Sequence, residues 1–114
     1  MNQNLASVDI IRTDGRKETH EVGKHILLPW IKRMIGAEVT DHVNLKDGRV
    51  MIGDDNGYET EIVEKSTGLF ELRPIRARKP VNAEATKIYH GICKPGTTHR
   101  IVGDVAIAWN KDFE

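Results

Sequence analysis

Apolar and polar residues alternate along much of this chain, and the period of the alternation changes at a few sharp points. Val8, Ile10 and Arg12 alternate with Asp9 and Ile11, Thr13-Asp14-Gly15-Arg16 supplies a turn, and Lys17 to Val22 can return as a second strand. After Gly23 the period lengthens. Leu27, Leu28, Ile31, Met34 and Ile35 recur at three- and four-residue spacing with Lys32 and Arg33 opposite, which predicts a short helix from about Leu28 to Gly36. Pro29 fits only in its first turn, where the missing N–H leaves no helical bond unmade.

Extended spacing then resumes. Val39, Asp41, Val43 and Leu45 share one face, Lys46-Asp47-Gly48-Arg49 turns the chain, and Val50 to Ile52 returns as a second hairpin. Asp54-Asp55-Asn56-Gly57 is a further turn, with Asn-Gly accepting positive φ, and Tyr58 to Val63 offers another strand. Leu69, Phe70 and Leu72 form an extended piece ahead of a basic connector punctuated by Pro74 and Pro80. Asn82 is a helix N-cap, Glu84 suits the first turn, and Ala85, Ile88, Tyr89 and Ile92 make an apolar stripe, predicting a helix over 83–92. Pro95-Gly96 breaks the chain, Ile101-Val102 resumes it, and Val105, Ile107 and Trp109 close it as a strand after Gly103-Asp104. The expectation is an α+β fold: a mostly antiparallel sheet of about five to seven strands with two short helices, in a single two-layer domain over residues 1–114.

Composition narrows the class of protein. Hydrophobic residues at 39% and charged residues at 30% describe an ordinary folded chain of 114 residues, long enough for one core. No apolar run approaches the roughly 18 residues of a membrane span. Met1 to Leu5 has neither a basic start nor an apolar stretch, so export is not expected and the cytoplasm is. Cys93, the sole cysteine, excludes an intrachain disulfide. Seventeen basic and seventeen acidic residues cancel, which removes long-range steering toward nucleic acid or an anionic surface and lowers the barrier to self-association, so a homo-oligomer is expected. The charge is unevenly placed. Glu38 to Lys65 holds eight acids and three bases, whereas Glu71 to Arg100 holds seven bases and two acids.

The run Lys79-Pro80-Val81-Asn82-Ala83-Glu84-Ala85-Thr86-Lys87-Ile88-Tyr89-His90, followed by Ile101-Val102-Gly103-Asp104-Val105-Ala106-Ile107, resembles an uncharacterised family of small domains from bacteriophage and mobile-element genomes. Pro-x-Asn-x-x-Ala-Thr at a helix start and Gly-Asp before the last strand carry the likeness, which lies mainly in residues 79–107. Ile35-Gly36-Ala37, Val43-Asn44-Leu45 and Asp47-Gly48-Arg49 are similar to that family's middle. The resemblance implies a phage or prophage accessory gene acting in bacterial cytoplasm, and it transfers no catalytic residue.

Candidate sites follow from charge and chemistry. Arg73, Arg76, Arg78 and Lys79 form the densest basic run, with extended spacing suited to phosphates or carboxylates, but no interleaved aromatic offers a base-stacking platform. Asn82 and Thr86 open a helix whose N–H groups suit an anion, although capping alone accounts for Asn82. Asp104 after Gly103 can hold a ligand hydroxyl or ammonium at a strand mouth, or simply close a turn. His90, Cys93 and His99 fall short of four zinc ligands and lack an orienting carboxylate for thiol catalysis, so no metal, cofactor or catalytic residue is assigned. The 54–57 turn lacks the ligand alternation of a calcium loop, and Trp30 and Trp109 read as core residues.

The resulting expectation is a non-enzymatic phage-type accessory protein that binds a host protein or an anionic small molecule through the Arg73–Lys79 segment and the Asp104 region. A nucleotide- or nucleic-acid-binding module is the alternative. A small hydrolase or transferase using Asp104 with His90 or His99 ranks third.

Overall fold

A computed structural model describes residues 4–114; Met1 to Gln3, within the segment read above for an export signal, lies outside the described residues. Seven strands and two helices follow one another as β1 (Leu5–Ile11), β2 (Lys17–Gly23), α1 (Leu27–Ile35), β3 (Thr40–Asn44), β4 (Arg49–Asp54), β5 (Tyr58–Ser66), β6 (Leu69–Ala77), α2 (Ala83–His90) and β7 (Val105–Trp109). Five strands form one antiparallel sheet in the order β2-β1-β7-β4-β3, and β5 pairs only with β6 as a separate antiparallel ribbon. The α+β class and antiparallel pairing are those predicted by the pattern. Among the described residues no helix is long and apolar enough to cross a membrane.

The last strand is central because both of its faces are apolar. Ala106 and Ala108 face one side with Ala6, Val8, Ile10, Val50 and Ile52, where α1 packs through Leu27, Ile31 and Ile35. Val105 and Ile107 face the other side with Ile11, Met51 and Leu45, and are covered by Ala85 and Ile88 of α2. Successive strand residues point to opposite faces, so Val105-Ala106-Ile107-Ala108 buries all four side chains between two helical layers. Helix packs on sheet twice, once on each face. The layers therefore number three, helix on sheet on helix, where the pattern predicted two, because β7 is apolar on both faces and each face needs a cover.

Local boundaries carry their own reasons. Gly36, at φ 69°, ends α1, and its N–H is returned to the carbonyls of Arg33 and Lys32. α2 stops at His90, two residues short of the expected end, where Gly91 takes over the last helical bonds. Ile101-Val102 forms only a bridge, Val81 to Val102. Gly57 does not have positive φ; it is needed because a Cβ there would lie 2.7 Å from Val102 Cγ2. Trp109, expected in the core, stays 41% exposed at the end of β7, while Trp30 packs against the α1-side cluster.

The basic connector expected over 73–79 is for the most part strand. β6 runs through Arg73, Pro74 and Arg76 to Ala77. Pro74 is tolerated because a two-stranded ribbon leaves one edge of each strand unpaired, and the register shifts beside it between Glu59 and Thr60. No residue from Tyr58 to Pro80 is buried. The ribbon makes the molecule long, at 56 × 27 × 25 Å with a radius of gyration of 15.5 Å. A compact chain of this length would measure about 13 Å.

Candidate functional site

The residues singled out by sequence separate into two places. Lys79, Asn82, Thr86 and Asp104 lie where the α2 lead-in meets the segment before β7, and their polar atoms are engaged inside the protein. Lys79 Nζ pairs with Asp54 at 2.7 Å and donates to the carbonyls of Ile35 and Gly36, placing a cation on the unpaired C-terminal carbonyls of α1. Fully buried Asn82 accepts from the N–H of Ala85 and donates to the carbonyls of Ile11 and Gly103. Thr86 Oγ1 accepts from the N–H of Ile101 and donates to its carbonyl. Backbone bonds from Asn82 N to Ile101 O and from Gly103 N to Pro80 O complete the seam.

Asp104 uses both carboxylate oxygens in the same way, accepting from Thr13 N and from Arg12 Nη1, each at 2.9 Å. Arg12 also forks onto Glu18 and donates to the carbonyl of Met34. That fork, with His20 on the other side, holds the Glu18 carboxyl down at about 2. The Arg12 guanidinium is raised by its bonds to Glu18 and Asp104. Gly103 enters this corner at φ 76°, a left-handed conformation that a side chain resists.

Arg73, Arg76 and Arg78 belong to the ribbon arm. Arg76 pairs with Glu59 at 2.6 Å and Arg73 with Glu61 at 3.3 Å, while Lys65 pairs with Glu71. The Arg76 bond lowers the Glu59 carboxyl, and Glu59 in turn raises the Arg76 guanidinium. Arg78 forms no ion pair among the described residues; its backbone N–H donates to Gly57 O and closes the ribbon base.

Register shows that these ion pairs occupy one face. Ile62 is opposite Leu72, Glu64 opposite Phe70, and Thr60 opposite Pro74, so these six side chains share the other face. Its apolar members project into solvent, with Ile62 72%, Leu72 68% and Phe70 63% exposed. At its base the same face, through Tyr58, Thr60 and Pro74, forms one wall of a cleft of about 240 Å³. Val43, Met51, Val102 and Val105 supply apolar surface from the sheet side, and Asp41, Asp55, His99 and Arg100 are polar members of the lining. The Tyr58 hydroxyl donates to the carbonyl of Arg100, and the rings of Tyr58 and Tyr89 both pack on His99. A hydrogen bond to Cys93, burial and the nearby Asp41 charge together push the Tyr89 phenol up.

Sequence reasoning missed Ile62, Phe70 and Leu72 as surface residues, although a signal was present. Phe70-Glu71-Leu72-Arg73-Pro74 and Thr60-Glu61-Ile62 each alternate around the Thr67-Gly68 turn, the signature of a hairpin with one charged and one apolar face. Other candidates are separated: His90 Nε2 donates to the carbonyl of His99, and Asp104 is bonded to neither histidine. Among the described residues no group of three or more His, Cys, Asp or Glu side chains is placed to hold a metal ion. No protein-family model, curated protein or solved structure matches the chain.

Proposed function

We propose that this chain is a non-enzymatic, phage-type accessory protein that acts in bacterial cytoplasm by recognising another protein through the ribbon's apolar face. The observation that supports this reading is the continuous apolar track from the cleft at Tyr58, Thr60 and Pro74 out to Ile62, Leu72 and Phe70. An isolated two-stranded ribbon is at best marginally stable in water, and covering one face supplies what it lacks. Of the two partner classes expected from the sequence, a protein is favoured over an anionic small molecule. Arg73 and Arg76 are already neutralised by Glu61 and Glu59, and Asp54 in the cleft wall by Lys79. Nucleic acid is disfavoured on the same surface, because Glu59, Glu61, Glu64 and Glu71 balance Lys65, Arg73, Arg76 and Arg78.

The test is in-cell photo-crosslinking from a benzophenone side chain at Leu72, with Glu21 on exposed β2 as the control position. Recognition through the ribbon predicts a discrete protein adduct from position 72 that Phe70→Asp weakens. Equal labelling from both positions would overturn the reading, and a nuclease-sensitive adduct would replace it with the nucleic-acid alternative.

A further inference from the structure

We infer that the partner on the ribbon is a second copy of this chain, packed face to face about a two-fold axis so that each ribbon tip closes the other copy's cleft. This rests on the reading that the ribbon's apolar face is a recognition surface, and it names the occupant. The apolar face has three successive rungs: Glu64 with Phe70 toward the tip, Ile62 with Leu72 in the middle, and Thr60 with Pro74 at the cleft. A two-fold axis through the middle rung sets Ile62 and Leu72 against their own equivalents. It then sets Phe70 of each copy on the Thr60 and Pro74 wall of the other. The surface is self-complementary, as an isologous interface requires, because plug and socket stand equally far from the middle rung.

Charge fits the same arrangement. Glu64 shares the tip rung with Phe70 and forms no ion pair among the described residues, and Arg100, equally without an ion pair, lines the cleft. Superposing tip on cleft brings Glu64 of one copy to Arg100 of the other. The charges on the opposite face stay satisfied by Glu59–Arg76, Glu61–Arg73 and Lys65–Glu71 and face solvent in the pair. Ile62, Phe70 and Leu72 together expose roughly 400 Å² of apolar surface, and the cleft wall brings this to roughly 500 Å² per partner, the size of a small, reversible interface rather than the roughly 800 Å² of a standard one. The zero net charge of the chain sets no electrostatic barrier between copies.

The arrangement predicts which residues cross-link. In a Cys93→Ser background, copies carrying Phe70→Cys mixed with copies carrying Thr60→Cys are joined by a short bis-maleimide linker that spans about 10 Å, the spacing of two packed sheets. Neither variant alone is joined, because two copies of one position lie about 13 Å apart along the ribbon as well as about 10 Å across it, beyond the linker's reach. Native mass spectrometry of the unmodified protein gives twice the chain mass, and Ile62→Lys, which sets two like charges at the axis, gives the single mass. A monomer at all concentrations overturns the second-copy assignment. So does a cross-link that forms as readily in the unmixed samples. A monomer whose position-72 crosslinker still captures a protein of another mass removes only this inference, whereas a monomer without any such adduct removes the recognition reading as well.

Discussion

The side-chain amide of Asn82 donates to the carbonyl oxygen of Ile11 at 2.9 Å, joining the start of α2 to the end of β1. The same amide reaches Gly103 O, and its oxygen caps α2 through Ala85 N, so one buried side chain ties three segments distant in sequence. Asn82→Ala removes a cap worth about 1 kcal/mol and strands two carbonyls at about 1 kcal/mol or more each. The expected loss is about 3 kcal/mol, read from the urea midpoint at unchanged slope. Asn82→Asp keeps the cap but aims a carboxylate at two carbonyl oxygens, and is expected to be the more damaging of the two at neutral pH.

Glu18 makes acid stability depend on Arg12. Its carboxyl titrates at about 2 in the folded protein, below the ordinary 4.5, because Arg12 and then His20 bind the ionised form. Between those values the unfolded chain binds more protons than the folded one, so stability rises with pH across the window and is lost as pH falls toward 2. Glu18→Gln is expected to flatten that part of the pH profile in urea titrations, leaving the shares of Asp14, Asp47 and Glu59, which are also lowered. A carboxyl NMR titration of Glu18 near 4.5 would contradict the Arg12 fork.

The ribbon is expected to be dispensable for folding. None of its residues joins either core cluster, and Tyr58 and Ala77 at its base remain when residues 60–74 are replaced by a short Gly-Ser turn. Such a variant should keep the amide NMR dispersion of the five-stranded sheet and lose no more than about 1 kcal/mol, a few degrees in Tm. Loss of the sheet signals would show that the ribbon supports the fold.

Gly57 is a packing requirement. A methyl group there meets the stiff, buried Val102 at 2.7 Å and the carbonyl of Asp54 at 3.2 Å. Gly57→Ala is expected to cost about 1–3 kcal/mol as an overpacked site. Adding Val102→Ala should recover part of that loss in thermal unfolding, whereas a simple sum of the two single losses would place the strain elsewhere.

Local periodicity was sufficient for the elements themselves. The three- and four-residue spacing of Leu27, Ile31 and Ile35 marked α1, the turn residues marked the first two hairpins, and Asn82 marked the start of α2. Such signals depend on neighbours a few positions away, which is why a single sequence carries them. The roles of Lys79 and Asp104 were of another kind. As letters they read as surface charge, and only the chain path brings Lys79 to Asp54 and the end of α1, or Asp104 to Arg12. Ile62, Phe70 and Leu72 had the composition of a core, yet β5 and β6 pair only with each other and no third layer covers them. Hydropathy states what a side chain gains from burial, while the tertiary arrangement decides whether anything within the same chain is there to bury it.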